Sequence, residues 1–262
     1  SKLFRHTASV GDNRYDALAG GPEELSRDLA QSLSFLSAPT IPEGDYPVIL
    51  SEKVAGIFAH ESFGHKSEAD FLLGDPGASK EWEIGKSVGP PLLTIVDDGT
   101  LEDASGYCPV DDEGTPGQKR YLIREGKLAG RLHSLPTAAE LGEDPTGNAR
   151  AINFEYEPIV RMTNTFIEAG KETFAQLLAP LDGGVYIDTC THGSGMSTFT
   201  IAPARCYWIR KGRLAEPVRV SVLSGKVLET MDLIYGLSDQ VELELAGASG
   251  GGCGKMEQGP LP

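Results

Sequence analysis

The sequence predicts an α+β protein built largely on antiparallel sheet. Gly and Pro supply 32 and 17 of the 262 residues, a density that favours many turns and short strands. Two turn signals, Glu125-Gly126 and Lys211-Gly212, stand between strand-like runs, as hairpins require. Helical periodicity is confined to a few stretches.

Taken in order, Gly21 to Leu36 places Leu25, Leu29, Leu33 and Leu36 at helical spacing and stops before Pro39, which predicts an amphipathic helix. Tyr46 to Leu50 is a short apolar strand. Val54 to His65, with alternating large and small residues, reads as a buried helix. Leu92 to Val96 is a strand that ends at the turn Asp97-Asp98-Gly99. Tyr121 to Ile123 and Leu128 to Leu132 flank Glu125-Gly126 as a hairpin. Phe174 to Leu178 forms a short helix before Asp182-Gly183-Gly184. Thr198 to Ile209 and Val218 to Leu223 flank Lys211-Gly212 as long antiparallel strands, and Val241, Leu243 and Leu245 alternate with Glu242 and Glu244 as a half-exposed strand. No fixed-period repeat or low-complexity linker interrupts the chain.

Composition narrows the function classes. The chain carries 23 Lys+Arg against 38 Asp+Glu, a formal net charge of -15. Nucleic-acid binding needs clustered cations, so a DNA or RNA partner is not expected. No apolar run approaches the ~18–20 residues that cross a bilayer, so no membrane partner is expected. Four well-separated cysteines are not a disulfide framework. Ser1 to His6 shows no secretory leader pattern, and the expected address is the cytoplasm.

One cluster carries metal-type ligands: His60-Glu61-Ser62-Phe63-Gly64-His65. Two histidines four residues apart lie about 40° apart around an α-helix, with the glutamate following the first as general base. Here the spacing is five, which on a regular α-helix separates the imidazoles by about 140°. A single π-type turn would return them to one face, and Gly64 would lower the cost of that distortion. The alternative is an ordinary helix end with one buried histidine, one exposed histidine and a solvated Glu61. His6, His133 and His192 have no metal-type partner nearby in sequence. Cys253 sits in Gly250-Gly251-Gly252-Cys253-Gly254-Lys255. Flanking glycines allow close backbone approach, and Lys255 favours the ligating thiolate; the other reading is a free thiol in a tail. Thr191 to Met196 is glycine-rich but lacks the Gly-Lys-Ser/Thr of a phosphate loop, and is expected as a flexible loop near the site. Cys190 and Cys206 are expected to pack as small hydrophobes.

His60 to His65, followed by Glu68-Ala69-Asp70-Phe71, resembles the HExxxH-x2-E-x-D-F signature of the TldD/PmbA metallopeptidases. Val96-Asp97-Asp98-Gly99-Thr100, Asp111 to Pro116, Pro145-Thr146-Gly147-Asn148 and Arg161-Met162-Thr163-Asn164-Thr165 resemble further family blocks in family order, and Cys253-Gly254-Lys255 resembles its C-terminal block. The resemblance runs from about Asp45 to Gln258. It implies a C-terminal-domain-like α+β fold with a metal-binding HExxxH helix. The corresponding layout is a lead-in segment over 1–44, carrying the amphipathic helix, and a catalytic domain over 45–262; the family's N-terminal domain has no counterpart in these residues.

The resemblance further implies that His60, His65 and Cys253 bind one Zn²⁺, with iron as an alternative ion for such a donor set. Glu61 would be the general base on the water the ion activates. Glu68 and Asp70 are candidates to orient a ligating imidazole, against the reading of a solvated helix face. The substrates implied are unfolded peptides, of leader-peptide or antitoxin type, added as a strand on a sheet edge that the sequence does not identify. The implied assembly is a homodimer, or a heterodimer with a PmbA/TldE-type subunit. Two other functions compete: a non-catalytic PmbA/TldE-like partner subunit, which would lack the metal ligands, and a regulatory module that binds DNA gyrase or toxin–antitoxin proteins. Arg161 and Asn164 are expected to make a structural turn, with substrate contact as the alternative. Asp97-Asp98-Gly99 and Asp111-Asp112-Glu113 resemble acidic metal loops but lack the spaced ligands of a calcium site, and are expected to make turns.

Overall fold

A computed structural model describes residues 21–73, 75–102 and 104–242. Its helices are α1 (Gly21–Leu36), α2 (Glu52–Ala59), α3 (His65–Ser67), α4 (Pro76–Glu81), α5 (Leu135–Leu141), α6 (Phe174–Leu178) and α7 (Val227–Met231). A π-helical turn, His60–Gly64, joins α2 to α3, and a 3₁₀ turn, Ala69–Phe71, follows. Its strands are β1 (Val48–Leu50), β2 (Ile95–Asp98), β3 (Lys119–Arg124), β4 (Lys127–Leu128), β5 (Ala149–Arg150), β6 (Ile159–Val160), β7 (Thr165–Ile167), β8 (Gly184–Gly195), β9 (Thr198–Arg210), β10 (Arg213–Val218) and β11 (Leu223–Lys226).

The larger sheet runs β1-β8-β9-β10, with β11 pairing the opening stretch of β9. The second runs β4-β3-β2-β7, and β5 with β6 makes a small ribbon. All described strand pairs are antiparallel except β1 with β8, where Val48, Ile49 and Leu50 face Val185, Tyr186 and Ile187 in parallel. The α+β character and the antiparallel sheets match the sequence-based expectation; the parallel pair adds to it.

Both predicted turns form, for a local reason. Glu125 and Gly126 have φ of 50° and 76°, and Lys211 and Gly212 have 48° and 71°, the positive pair whose twist matches two-residue hairpins. Because the second turn hands the chain directly back to a strand, β10 starts at Arg213. Of the Val218-to-Leu223 stretch expected as a strand, Val218 closes β10, Leu223 opens β11, and residues 219–222 link the two. Helix α6 sits where periodicity placed it, closed by a reciprocal Thr173/Gln176 capping box. The strand expected over Leu92 to Val96 is displaced to Ile95–Asp98, because the two aspartates find hydrogen-bond partners within the fold. Helix α1 forms, but Leu29 and Leu33 are exposed; Phe35 is its anchor, packed edge-on against Tyr207 at 5.4 Å. At Val241 and Glu242 there is no strand; Leu243 and Leu245 lie outside the described residues.

Helix α2 carries the site. Ser51 caps it by accepting from Val54 N–H at 3.3 Å. Val54, Phe58 and Ala59 are buried, and the helix packs against β8 of one sheet and β7 of the other. Phe58 meets Phe199 edge-on at 5.0 Å, while Phe63 meets Trp82 at 5.2 Å. One core thus runs from sheet to sheet through this helix, which is packed on both flanks. No helix among the described residues is long and apolar enough to cross a membrane.

Candidate active site

Of the two geometries open for the five-residue spacing, the π turn is the one formed. His65 N–H donates to the His60 carbonyl, closing an i to i+5 bond. The two imidazoles consequently lie together, with centroids 4.9 Å apart and planes at 86°. Gly64 adopts φ -54°, ψ -58°, an ordinary right-handed conformation open to any residue, so backbone freedom is not what the π turn asks of it. A Cβ there would overlap Met162 Sδ outright and stand 3.0 Å from its Cε. Glycine is present because Met162 packs onto the turn.

Glu68 is fully buried, and its Oε2 lies 3.1 Å from His65 Nδ1. A carboxylate at Nδ1 fixes the ring's orientation and makes Nε2 the nitrogen that could take a metal. Main-chain bonds hold Glu68 in turn: Ala69 N–H donates to Leu132 O at 3.0 Å and Leu132 N–H to Ser67 O at 2.8 Å. Asp70 lies on the 3₁₀ turn that follows. Burial, reinforced by His65 nearby, pushes His60 down to about 4, so it is the neutral imidazole that a metal requires. Burial raises the Glu61 carboxyl above its ordinary value; the neighbouring His65 and a hydrogen bond from Gly195 N–H oppose that shift.

Cys253 lies outside the described residues, and among the described residues no group of three His, Cys, Asp or Glu side chains could hold a metal. Two nitrogen donors on one face, one neutral through burial and one oriented by a buried carboxylate, fit a divalent ion of borderline softness. They leave one or more protein ligands to be supplied from elsewhere.

Other sequence candidates have structural duties. The blocks around Asp97, Asn148 and Thr163 converge on one buried cluster. Asp97 accepts from Thr163 N–H at 2.9 Å, from the Thr163 and Thr165 hydroxyls at 2.6 and 2.7 Å, and from Asn148 Nδ2 at 2.9 Å. Asp98 Oδ1 accepts from Thr100 N–H at 2.9 Å, Asn164 Oδ1 accepts from Gly106 N–H at 2.8 Å, and Asp111 Oδ1 accepts from Glu113 and Thr115 N–H. Asp111 and Asn164 lock turns, as expected, whereas Asp97 and Asp98 belong to β2 and lock a strand end instead of the turn expected there. Arg161 stands close enough for its charge to help lower His60. His133 is buried, its ring nitrogens 3.1 Å from Thr137 Oγ1 and from Glu143 Oε2. Cys190 and Cys206 are buried, and desolvation pushes the Cys206 thiol up to about 12, consistent with packing rather than reactivity.

Thr191 to Gly195 is not a loop; it is the end of β8, paired with β9 through Gly195 opposite Phe199. It does border the site as expected. His60, Glu61 and His65 line one groove of about 2370 Å³ together with Thr189 and Thr191 to Gly195. That volume exceeds the roughly 300–1,000 Å³ of small-molecule pockets. β1 covers β8 only as far as Ile187, so beyond it β8 has β9 as its strand neighbour among the described residues. The sequence reading missed Gly193, Gly195 and Met162; the Gly-x-Gly within a strand was the available signal.

Residues 43–257 match the family model of the PmbA/TldA metallopeptidase C-terminal domain. A metalloprotease of Synechocystis sp. is 40% identical over 232 residues, covering 88% of this chain and 49% of that protein. A TldD-homolog metalloprotease of Haemophilus influenzae is 37% identical, covering 87% and 47%. Among solved structures, a proposed modulator of a DNA gyrase from Thermotoga maritima aligns with TM-score 0.70 and 28% identity over 86% of this chain and 52% of that one. TldE from Thermococcus kodakarensis aligns with TM-score 0.70 at 20% identity over 87% and 52%, a likeness of fold alone. The chain spans about half the length of the curated relatives it matches.

Proposed function

The chain belongs to the PmbA/TldD metallopeptidase family through its C-terminal domain, and from that premise we propose that it is the catalytic part of a zinc-dependent peptidase acting on unfolded peptides. The observation that carries this reading is the π turn, which gathers His60 and His65 and sets Glu61 in the same groove.

His60, His65 and Cys253 would hold the ion, zinc in the first instance and iron as the alternative for this donor set. When bound, it supplies Lewis acidity toward a carbonyl oxygen and toward water. Glu61, its carboxyl raised by burial, takes a proton from the attacking water and returns it to the leaving amine. Glu68 keeps His65 in the tautomer that presents Nε2. The stretch of β8 beyond Ile187 is the edge on which an extended peptide would lie, held by main-chain hydrogen bonds and therefore with little sequence preference. Leader peptides and antitoxins are substrates of that kind. In this reading residues 1–44 are a lead-in, 45–262 form the catalytic domain, the address is cytoplasmic, and the assembly is a homodimer or a pairing with a TldE-type subunit.

Intact His60, Glu61 and His65 favour catalysis over the role of a metal-free partner. A net charge of -15 disfavours direct DNA contact. The test is metal content by mass spectrometry on the wild type, His65→Ala and Cys253→Ala, with cleavage of an unfolded peptide by the wild type and Glu61→Ala. About one zinc per chain, lost in both ligand variants, with Glu61→Ala loaded but inactive, is the expected result. A wild type that takes up no metal from zinc-supplemented buffer sinks the proposal.

A further inference from the structure

Gly193 and Gly195 are two residues apart on β8 and so share one face of the strand. That face lies against the π turn. A Cβ on Gly193 would stand 2.7 Å from Ile57 Cγ2 and 3.0 Å from Glu61 Cγ; one on Gly195 would stand 2.6 Å from the Glu61 carbonyl oxygen and 3.0 Å from Glu61 Cβ. Neither glycine has a positive φ, so neither is there for a conformation that other residues avoid. Glycine inside a strand weakens it, and a recurring reason for its presence is close backbone approach. Here the element approached is the turn that bears the proposed base.

We propose that Gly193 and Gly195 are positioning residues for Glu61: their bare face lets the β8 main chain touch the π turn and hold the carboxylate at the wall of the groove. This deepens the peptidase reading and rests on it for its catalytic consequence. Gly195 N–H donates to that carboxylate, and Gly193 limits where the side-chain stem can go. Glutamate has three rotatable side-chain bonds and Glu61 is only half-buried, so without this wall the carboxylate would spread over several rotamers. The same stretch of β8 borders the groove. A peptide lying along it would therefore meet the carboxylate at a position set by the strand itself.

The test uses the full chain loaded with zinc, in Gly193→Ala and in Gly193→Ala with Ile57→Ala, which removes the closest obstruction. Crystal structures read the Glu61 carboxylate directly, alongside metal content, thermal midpoint, and kcat and KM on an unfolded peptide. In Gly193→Ala the carboxylate is expected to move by about 1 Å relative to Gly195 N, and kcat to fall by about 10–100-fold with KM changed little. Metal content should hold, with only a small loss in thermal midpoint. The double variant should return the carboxylate and recover most of kcat. An unmoved carboxylate, or a moved one with kcat within about twofold of wild type, overturns the inference, as does activity lost only in step with metal or fold. Displacement in a protein whose wild type cleaves no peptide would instead sink the peptidase reading and leave the orientation of Glu61 by β8 standing.

Discussion

Replacing Gly64 by alanine separates two explanations of why glycine precedes His65. If glycine eased the backbone into the π turn, alanine would cost little there, because φ -54° and ψ -58° are right-handed helical values, and alanine gains about 1 kcal/mol over glycine in a helix. The packing predicts the reverse. The new Cβ overlaps Met162 Sδ and crowds its Cε and Cγ at 3.0 and 3.3 Å. Met162 is 4% exposed, so its thioether cannot swing into solvent and must repack. Overpacking a filled core costs about 1–3 kcal/mol. Set against the helix gain, this leaves a net loss of about 1 kcal/mol, or a thermal midpoint lowered by about 2–4 °C. Met162→Ala alone should cost about 2–5 kcal/mol. In the double variant the alanine at 64 has room, so the total should fall short of the sum by about 1 kcal/mol or more. Urea unfolding of the four proteins, metal-free at pH 7, measures the cycle. Additive losses, or a Gly64→Ala protein more stable than wild type, would refute the packing argument.

Three further outcomes follow from the same geometry. Glu68→Ala removes the partner of His65 Nδ1 and should weaken zinc binding about 10–100-fold, measured by competition with a chromogenic chelator; unchanged affinity would show that the carboxylate does not orient the ring. His60 titrates near 4 in the fold but near 6.5 unfolded, so the unfolded chain takes up its proton first as pH falls. The metal-free protein should therefore keep the full contribution above pH 6.5 and lose up to about 3 kcal/mol between 6.5 and 4; a His60→Ala protein with an equally steep acid limb in urea melts would contradict this. Asp97→Ala strands the Thr163 N–H and two threonine hydroxyls and removes one of the two acceptors of the Asn148 amide. It should cost about 3–5 kcal/mol, while a loss under about 1 kcal/mol would mean water replaces the carboxylate.

Features fixed by local chemistry could be read from the residues alone. The hairpin turns at Glu125-Gly126 and Lys211-Gly212 and the cap of helix α6 are settled within a few residues, where φ preferences and side-chain-to-backbone bonds act without the rest of the chain. The ligand-type cluster at His60, Glu61 and His65 was legible for the same reason: residue type and spacing survive without a fold. Which geometry that spacing adopts was not, because an α-helix and a π turn differ by little locally and the choice is made by what packs around them. Met162, from a distant segment, sits on Gly64; β8 lies on Glu61 through Gly193 and Gly195; Leu132 holds the main chain on either side of Glu68. The same is true of Asp97 and Asp98, which read as a turn until Thr163, Thr165, Asn148 and Asn164 bond the pair into a strand, and of helix α1, where Leu29 and Leu33 stay exposed and Phe35 is the residue buried against Tyr207. Each of these depends on contacts between residues far apart in sequence, and only the closed tertiary structure brings them within bonding distance.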